Sequence, residues 1–453
     1  MNYIVTNRRT CFKEIGEYNY CDIESIILPK KISVDTETTS LKTFKGEIFA
    51  VQVGTGSNNY LFDIESIGIQ PVIKLLENKI LVFHNAIFDL GWFYKYGFFP
   101  WKVRDTMLAS QILHNGIREI RHGFGYVMER ELSVQYDKSE QANIAKIKLS
   151  TDKAIQYCFN DVDRLLELDD KLNRQIIDGG YLSTYQLHRR WIRAAAYMEQ
   201  CGLPINEDSW KAKIIKDKID QELLASKVIL YIYDNLPKYR KAQLDLFSSD
   251  ARLSVDITSP LQMIKVFEDF GINVISSEKD EKTGEFKRSI SEGVINKSKH
   301  PFVQIWLDYQ SITHDVTTFG ENFLPSIHEG RLYTKYKPIL DTARISAGGK
   351  SKIKGEVNDV NTLNIPANEK SRRPFEAKKG YKMIVSDYSN QEGYTGADIT
   401  GDISMIDSIM NGKDLHCMFV RVLYPELKDL SDKEIKEHHN DKRQKAKVSR
   451  FAL

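Results

Sequence analysis

A chain of 453 residues is too long for one hydrophobic core, and an apolar share of 42% is that of a globular protein, so two or three domains are expected. No run of 18 apolar residues exists and the opening MNYIVTNRRTCFKE lacks an apolar signal segment. The expectation is therefore no membrane span and a cytoplasmic location. The five cysteines (Cys11, Cys21, Cys158, Cys201, Cys417) form no CxxC pair, which argues against structural zinc and a disulfide framework. A net charge of +2 names no nucleic-acid partner by itself, although lysines and arginines cluster in 345–382 and 433–450.

Residues 1–100 read as strands alternating with helices, an α/β pattern. KISVDTETT, IFAVQVGTG, YLFDI and ILVFHNA are β-rich runs bounded by turn residues, and IFDLGWFYKYGF follows as an amphipathic stretch. Helical spacing predicts one helix over 150–178, with Ser150 as its N-cap. It predicts another from His188, ending near Gly202. From there to about 340 the text is mostly helical and highly charged, interrupted by an exposed turn at 276–289. Beyond 340 a Gly/Lys/Asn-rich loop leads to a strand, YKMIVSDYS, and then to helices. There is no internal repeat.

Asp35 and Glu37 stand two apart at the polar end of an apolar strand, so alternation puts both on one face. Two neighbouring carboxylates repel unless a cation or a proton intervenes. Asp89 follows another strand near a helix start. Asp161 lies four residues after Tyr157 on the helix over 150–178, so the two share a face. Taken singly, these are an edge ion pair, a helix cap and surface residues. Together they form a set of hard oxygen ligands without His or Cys, which suits two Mg²⁺ or Mn²⁺ ions acting on a phosphodiester.

VDTETT, HNAIFDL and YCFND resemble the three motifs of the DEDD exonuclease superfamily in its tyrosine-bearing branch, and RDTMLASQIL fits the same family. The resemblance covers about residues 30–175. It implies an RNase H-like domain with Asp35, Glu37, Asp89 and Asp161 as metal ligands and Tyr157 beside the attacking water.

From about 190 onward, DTARIS, NTLNIP, VSDYSNQE and NGKDLH are similar to family A DNA polymerases of the bacterial and phage polymerase I type. That resemblance implies palm metal ligation by Asp387 and the Tyr388 carbonyl. Glu392 would select the sugar, and Arg344 and Asn364 would touch the DNA minor groove. DYSNQEGY departs from the usual DYSQIELR around Glu392, which leaves the metal ligand in place and alters the sugar pocket. Arg443, Lys447 and Phe451 recur every four residues and line one helical face. By resemblance they and His416 would hold a nucleoside triphosphate. The His-Asp-Glu motif that supplies the second palm carboxylate does not occur in the chain.

The expected domains are an exonuclease over 1–185, a polymerase amino-terminal part with a mostly helical thumb over 186–340, and a partial α+β palm with the start of the fingers over 341–453. The function expected is a DNA-directed DNA polymerase with 3′→5′ proofreading, in replication or repair. Its partners would be primer-template and single-stranded DNA, dNTPs and a second polypeptide that completes the polymerase. Two other readings stay open, a stand-alone exonuclease and a non-catalytic DNA-binding subunit. Primer-extension and metal-dependent digestion assays separate the three.

Overall fold

The structure is a computed structural model that describes all residues except 137–143, 241–252, 280–282, 350–358, 389 and 452–453. The chain divides into two compact units, Met1–Gly380 and Tyr381–Leu453. The helix-and-sheet alternation expected over 1–100 is present.

The first unit is organised by a seven-stranded mixed sheet. Its strands are β1 (Asn2–Val5), β2 (Asn19–Tyr20), β3 (Lys31–Thr38), β4 (Ile48–Gly54), β5 (Asn59–Asp63), β6 (Ile80–Phe83) and β7 (Val103–Asp105), in the spatial order β2-β1-β5-β4-β3-β6-β7. β3, β4 and β5 form an antiparallel meander, whereas β6 and β7 join parallel to β3. β4, IFAVQVG, is buried along its whole length, and apart from Gln52 its text carries no polar side chain, which suits a strand covered on both faces.

Helices cover both faces. α1 (Ala86–Lys95), α2 (Thr106–Leu113) and α3 (Phe124–Leu132) pack with α4 (Asp152–Asp163), α5 (Leu165–Asp178) and α6 (Leu182–Cys201) around one large apolar core and a smaller one beneath α4. The single helix expected over 150–178 is two. Its N-cap is Thr151, whose hydroxyl accepts from Ala154 N–H, rather than Ser150. The break at Arg164 coincides with a contact to the sheet. The Val162 carbonyl accepts the Ser33 hydroxyl at 2.9 Å, and it crowds Gly54 so closely that a Cβ there would lie 2.7 Å from it.

The rest of the unit is mainly helical, as expected. α7 (Glu207–Asn235) runs against α9 (Pro301–Thr318), and α8 (Pro260–Asp269) closes a separate core with Trp306 and Phe302. At the α7–α9 contact, the buried Lys213 ammonium meets Asp217 at 2.6 Å and the Phe319 carbonyl at 3.1 Å, while Lys370 reaches Asp217 at 2.6 Å. The stretch 276–289 is a β-hairpin of Ile275–Lys279 with Phe286–Arg288 rather than a simple turn, with 280–282 outside the described residues.

In the second unit, α10 (Leu415–Leu423) packs on α11 (Asn440–Phe451) around Cys417, Val420 and Ala446. YKMIVSDYS is not a strand. Residues 381–388 carry no regular structure, and Ile384 and Val385 are 92% and 83% exposed. A β-strand is defined by its ladder, and among the described residues none pairs with this run. No helix among the described residues is long and apolar enough to cross a membrane.

Candidate active site

β3 sets the geometry of the carboxylates. Asp35 stands opposite Gln52 of β4 and Glu37 opposite Ala50, both in the middle of the sheet. α4 crosses this face and delivers Asp161. One oxygen from each of Asp35, Glu37 and Asp161 lies within 4.8 Å of the others. Burial, then the charge of Asp161, holds Asp35 and Glu37 well above the usual carboxylate range. Such a cluster is stable only with protons or cations among the oxygens. The donors are all hard oxygens in a buried position, which fits Mg²⁺ or Mn²⁺ and not a soft metal.

Asp89 arrives on α1 and is also buried. It stands outside the tight three-carboxylate group, and its Oδ1 accepts the hydroxyl of Thr36, the residue between Asp35 and Glu37, at 2.7 Å. Its charge nevertheless bears on both Asp35 and Glu37. Burial pushes its carboxyl up to about 8 against the counteracting Thr36 hydrogen bond.

The start of α1 is fixed by Asp105, which lies in the RDTMLASQIL stretch. Its carboxylate accepts Asn85 N–H at 3.1 Å and Ala86 N–H at 2.9 Å, and it caps α2 by accepting Met107 and Leu108 N–H. Asn85 itself sits in the left-handed region, φ 76°, a conformation that Asn tolerates better than most side chains. Asp105 thus ties the α1 start to β7, one helical turn before Asp89.

Tyr157 lies one turn before Asp161 on α4, as expected. Burial and the Asp161 charge push its hydroxyl far up, so it stays protonated. A second tyrosine, unmarked by the sequence pattern, shares the site. Tyr136, just after α3, donates its hydroxyl to Asp161 Oδ1 and meets the Tyr157 ring edge-on at 6.3 Å. Its run, QYDKSEQ, has no periodicity, so nothing in the text singles it out.

Comparison with known proteins matches two stretches of the chain. The family described as 3′-5′ exonuclease matches residues 20–177, and DNA polymerase family A matches residues 238–453. A DNA polymerase I from Aquifex aeolicus is 26% identical over 441 residues, covering 93% of this chain and 67% of the relative. A DNA polymerase I from Borreliella burgdorferi is 23% identical, covering 87% of this chain and 42% of the relative. The DNA polymerase of Escherichia phage T5 is 22% identical, covering 88% and 48%. The chain therefore spans between two fifths and two thirds of the length of these relatives. The POL domain of Pol1 from M. smegmatis, solved with DNA primer-template and dNTP, shares the fold with a TM-score of 0.71 at 18% identity, over 100% of this chain and 71% of that one.

The polymerase residues expected from the sequence are placed as follows. Arg344 and Asn364 are exposed in the first unit. Asp387, Tyr388 and Glu392 are exposed in the second, where Glu392 opens the helix Gln391–Thr400. Arg443 and Lys447 lie on α11, and the Phe451 side chain falls outside the described residues. The structure adds Asp414, which caps α10 by accepting His416 and Cys417 N–H and pairs with Arg443 at 2.8 Å and Lys436 at 3.1 Å. These hydrogen bonds and ion pairs hold its carboxyl below the usual range despite partial burial.

Proposed function

We propose that residues 1–185 form a 3′→5′ DNA exonuclease domain using two divalent ions, Mg²⁺ or Mn²⁺. In this reading 186–340 are the polymerase amino-terminal part and thumb, and 341–453 belong to the palm and fingers of a DNA-directed DNA polymerase. The observation that carries the reading is the convergence of Asp35, Glu37 and Asp161 within 4.8 Å, beside Tyr157.

Asp35, Glu37, Asp89 and Asp161 would hold the ions. Bound ions supply charge neutralisation at the phosphodiester and lower the pKa of a water. The chain's own groups do the rest. The sheet fixes Asp35 and Glu37 from one side, and α4 brings Asp161 from the other. The Tyr157 hydroxyl, kept protonated by its surroundings, orients the attacking water by hydrogen bonding.

In the second unit, Asp387 and the Tyr388 carbonyl are the proposed palm ligands, with Glu392 at the sugar of a dNTP. Arg443, Lys447, Phe451 and His416 are proposed to meet its triphosphate and base. Asp414 links two of these groups, because it holds the Arg443 guanidinium and the His416 backbone together. Arg344 and Asn364 are proposed to contact primer-template DNA.

The test is digestion of 5′-labelled single-stranded DNA. The chain is expected to shorten it from the 3′ end only with Mg²⁺ or Mn²⁺ present, and the Asp35→Ala, Glu37→Ala double variant is expected to be inert. Undiminished digestion by the double variant would remove the site assignment.

A further inference from the structure

The site contains two tyrosines where the proposed chemistry uses one. Tyr157 comes from α4 itself, whereas Tyr136 comes from the segment after α3 and reaches Asp161 from outside that helix. Tyr136 is also buttressed. Phe124, at the start of α3, packs edge-on against it with ring centroids 4.9 Å apart, and the His84 ring packs on Phe124 at 5.1 Å. His84 in turn is hydrogen-bonded to Thr106 Oγ1 and to the His122 carbonyl. The hydroxyl is therefore aimed by a row of rings tied to α2 and α3, elements that carry none of the proposed ligands.

We propose that Tyr136 is a positioning residue of the carboxylate site, holding Asp161 in the orientation that receives a divalent ion. The inference rests on the exonuclease reading above. The physical case has two steps. A neutral hydroxyl that donates to a carboxylate fixes its plane without consuming its charge. A carboxylate has two oxygens, so one can stay on Tyr136 while the other turns to an ion. Groups that orient a ligand in this way typically contribute about 10–100-fold to metal affinity when removed.

The two tyrosines then differ in what they control. Tyr136 acts on metal binding through Asp161, and Tyr157 acts on the water. Mn²⁺ titration followed by the paramagnetic signal of free Mn²⁺ separates them. Ions lost in the Asp35→Ala, Glu37→Ala double variant mark the exonuclease site. Tyr136→Phe is expected to weaken that site about tenfold. Its turnover on single-stranded DNA should recover at high Mn²⁺. Tyr157→Phe is expected to bind Mn²⁺ like the unaltered chain and to turn over more slowly at every Mn²⁺ concentration. Phe124→Leu, which loosens the buttress and leaves the hydroxyl, should weaken Mn²⁺ by a smaller factor and serves if Tyr136→Phe does not fold. Unchanged Mn²⁺ affinity in Tyr136→Phe, or a turnover loss that Mn²⁺ does not rescue, overturns the inference alone. Absence of any ion at this site in the unaltered chain would overturn the exonuclease reading and the inference together.

Discussion

Replacing Asp35 by Asn should make the metal-free protein more stable while destroying its proposed hydrolytic activity. One oxygen each from Asp35, Glu37 and Asp161 lies within 4.8 Å of the others. At that distance and an effective dielectric constant of about 20, two like charges repel by roughly 3.5 kcal/mol. The neutral amide removes two of the three pairs, or roughly 7 kcal/mol were all three ionised. The folded protein escapes part of this by binding protons, as the raised pKa values of Asp35 and Glu37 indicate. Keeping one carboxyl protonated at pH 8 costs about 1.4 kcal/mol for each of the roughly four units above its ordinary pKa, which caps the penalty near 5–6 kcal/mol.

With side-chain relaxation, a gain of about 2–4 kcal/mol is expected for Asp35→Asn at pH 8 in EDTA. The sign with pH follows from the direction of the shifts. The folded-state pKa values are raised, so the folded protein binds more protons than the unfolded chain. Stability is lost as pH rises through the folded values. The advantage of the Asp35→Asn variant should therefore shrink toward pH 5. Mg²⁺ should stabilise the unaltered chain and have little effect on the variant. Urea unfolding of the two proteins, in EDTA and in Mg²⁺, measures all of this. A variant less stable than its parent in EDTA at pH 8, or equally stabilised by Mg²⁺, would refute the reasoning.

Three further outcomes are expected. Tyr157→Phe should lower excision roughly 10–100-fold, less than loss of a proton-transfer group can cost, with single-stranded DNA affinity unchanged in a binding titration. Asp217→Ala should destabilise the first unit by about 3–5 kcal/mol in urea unfolding, because the buried Lys213 ammonium loses its carboxylate and keeps the Phe319 carbonyl. Glu199 is half-buried, accepts Tyr336 N–H at 2.6 Å, and is pushed up to about 7 mainly by burial. Its folded pKa is raised, so it should cost stability as pH rises from about 4.5 through 7. Glu199→Gln should flatten that part of the pH profile, and parallel profiles for the two proteins would exclude the effect.

The carboxylate site was legible because its signals are local. Alternation places Asp35 and Glu37 on one face, and a helical turn places Tyr157 beside Asp161. What the sequence hid depends on contacts made at a distance. Tyr136 reaches Asp161 across 25 residues, Thr36 binds Asp89 across 53, and the helix break at Arg164 coincides with Ser33 binding a carbonyl 129 residues away. Apolar periodicity runs through that break undisturbed, so spacing alone predicts one helix. YKMIVSDYS fails in the opposite way. Its composition is that of a strand, but composition supplies no partner, and Ile384 and Val385 remain exposed.

The register of β3 against β4 constrains what kinds of change this site can survive. Asp35 faces Gln52 and Glu37 faces Ala50 through a ladder that begins at Ser33 and Gly54. A one-residue insertion or deletion at the start of β3 would shift every following side chain to the opposite face. Thr36 would then stand where a ligand is needed, and both carboxylates would turn to the face on which Thr36 now meets Asp89. Substitution at a single position leaves this alternation intact, whereas a change in residue number does not. Among descendants of this chain, variation around the site is therefore expected as exchanges of side chain, with the length of β3 held constant.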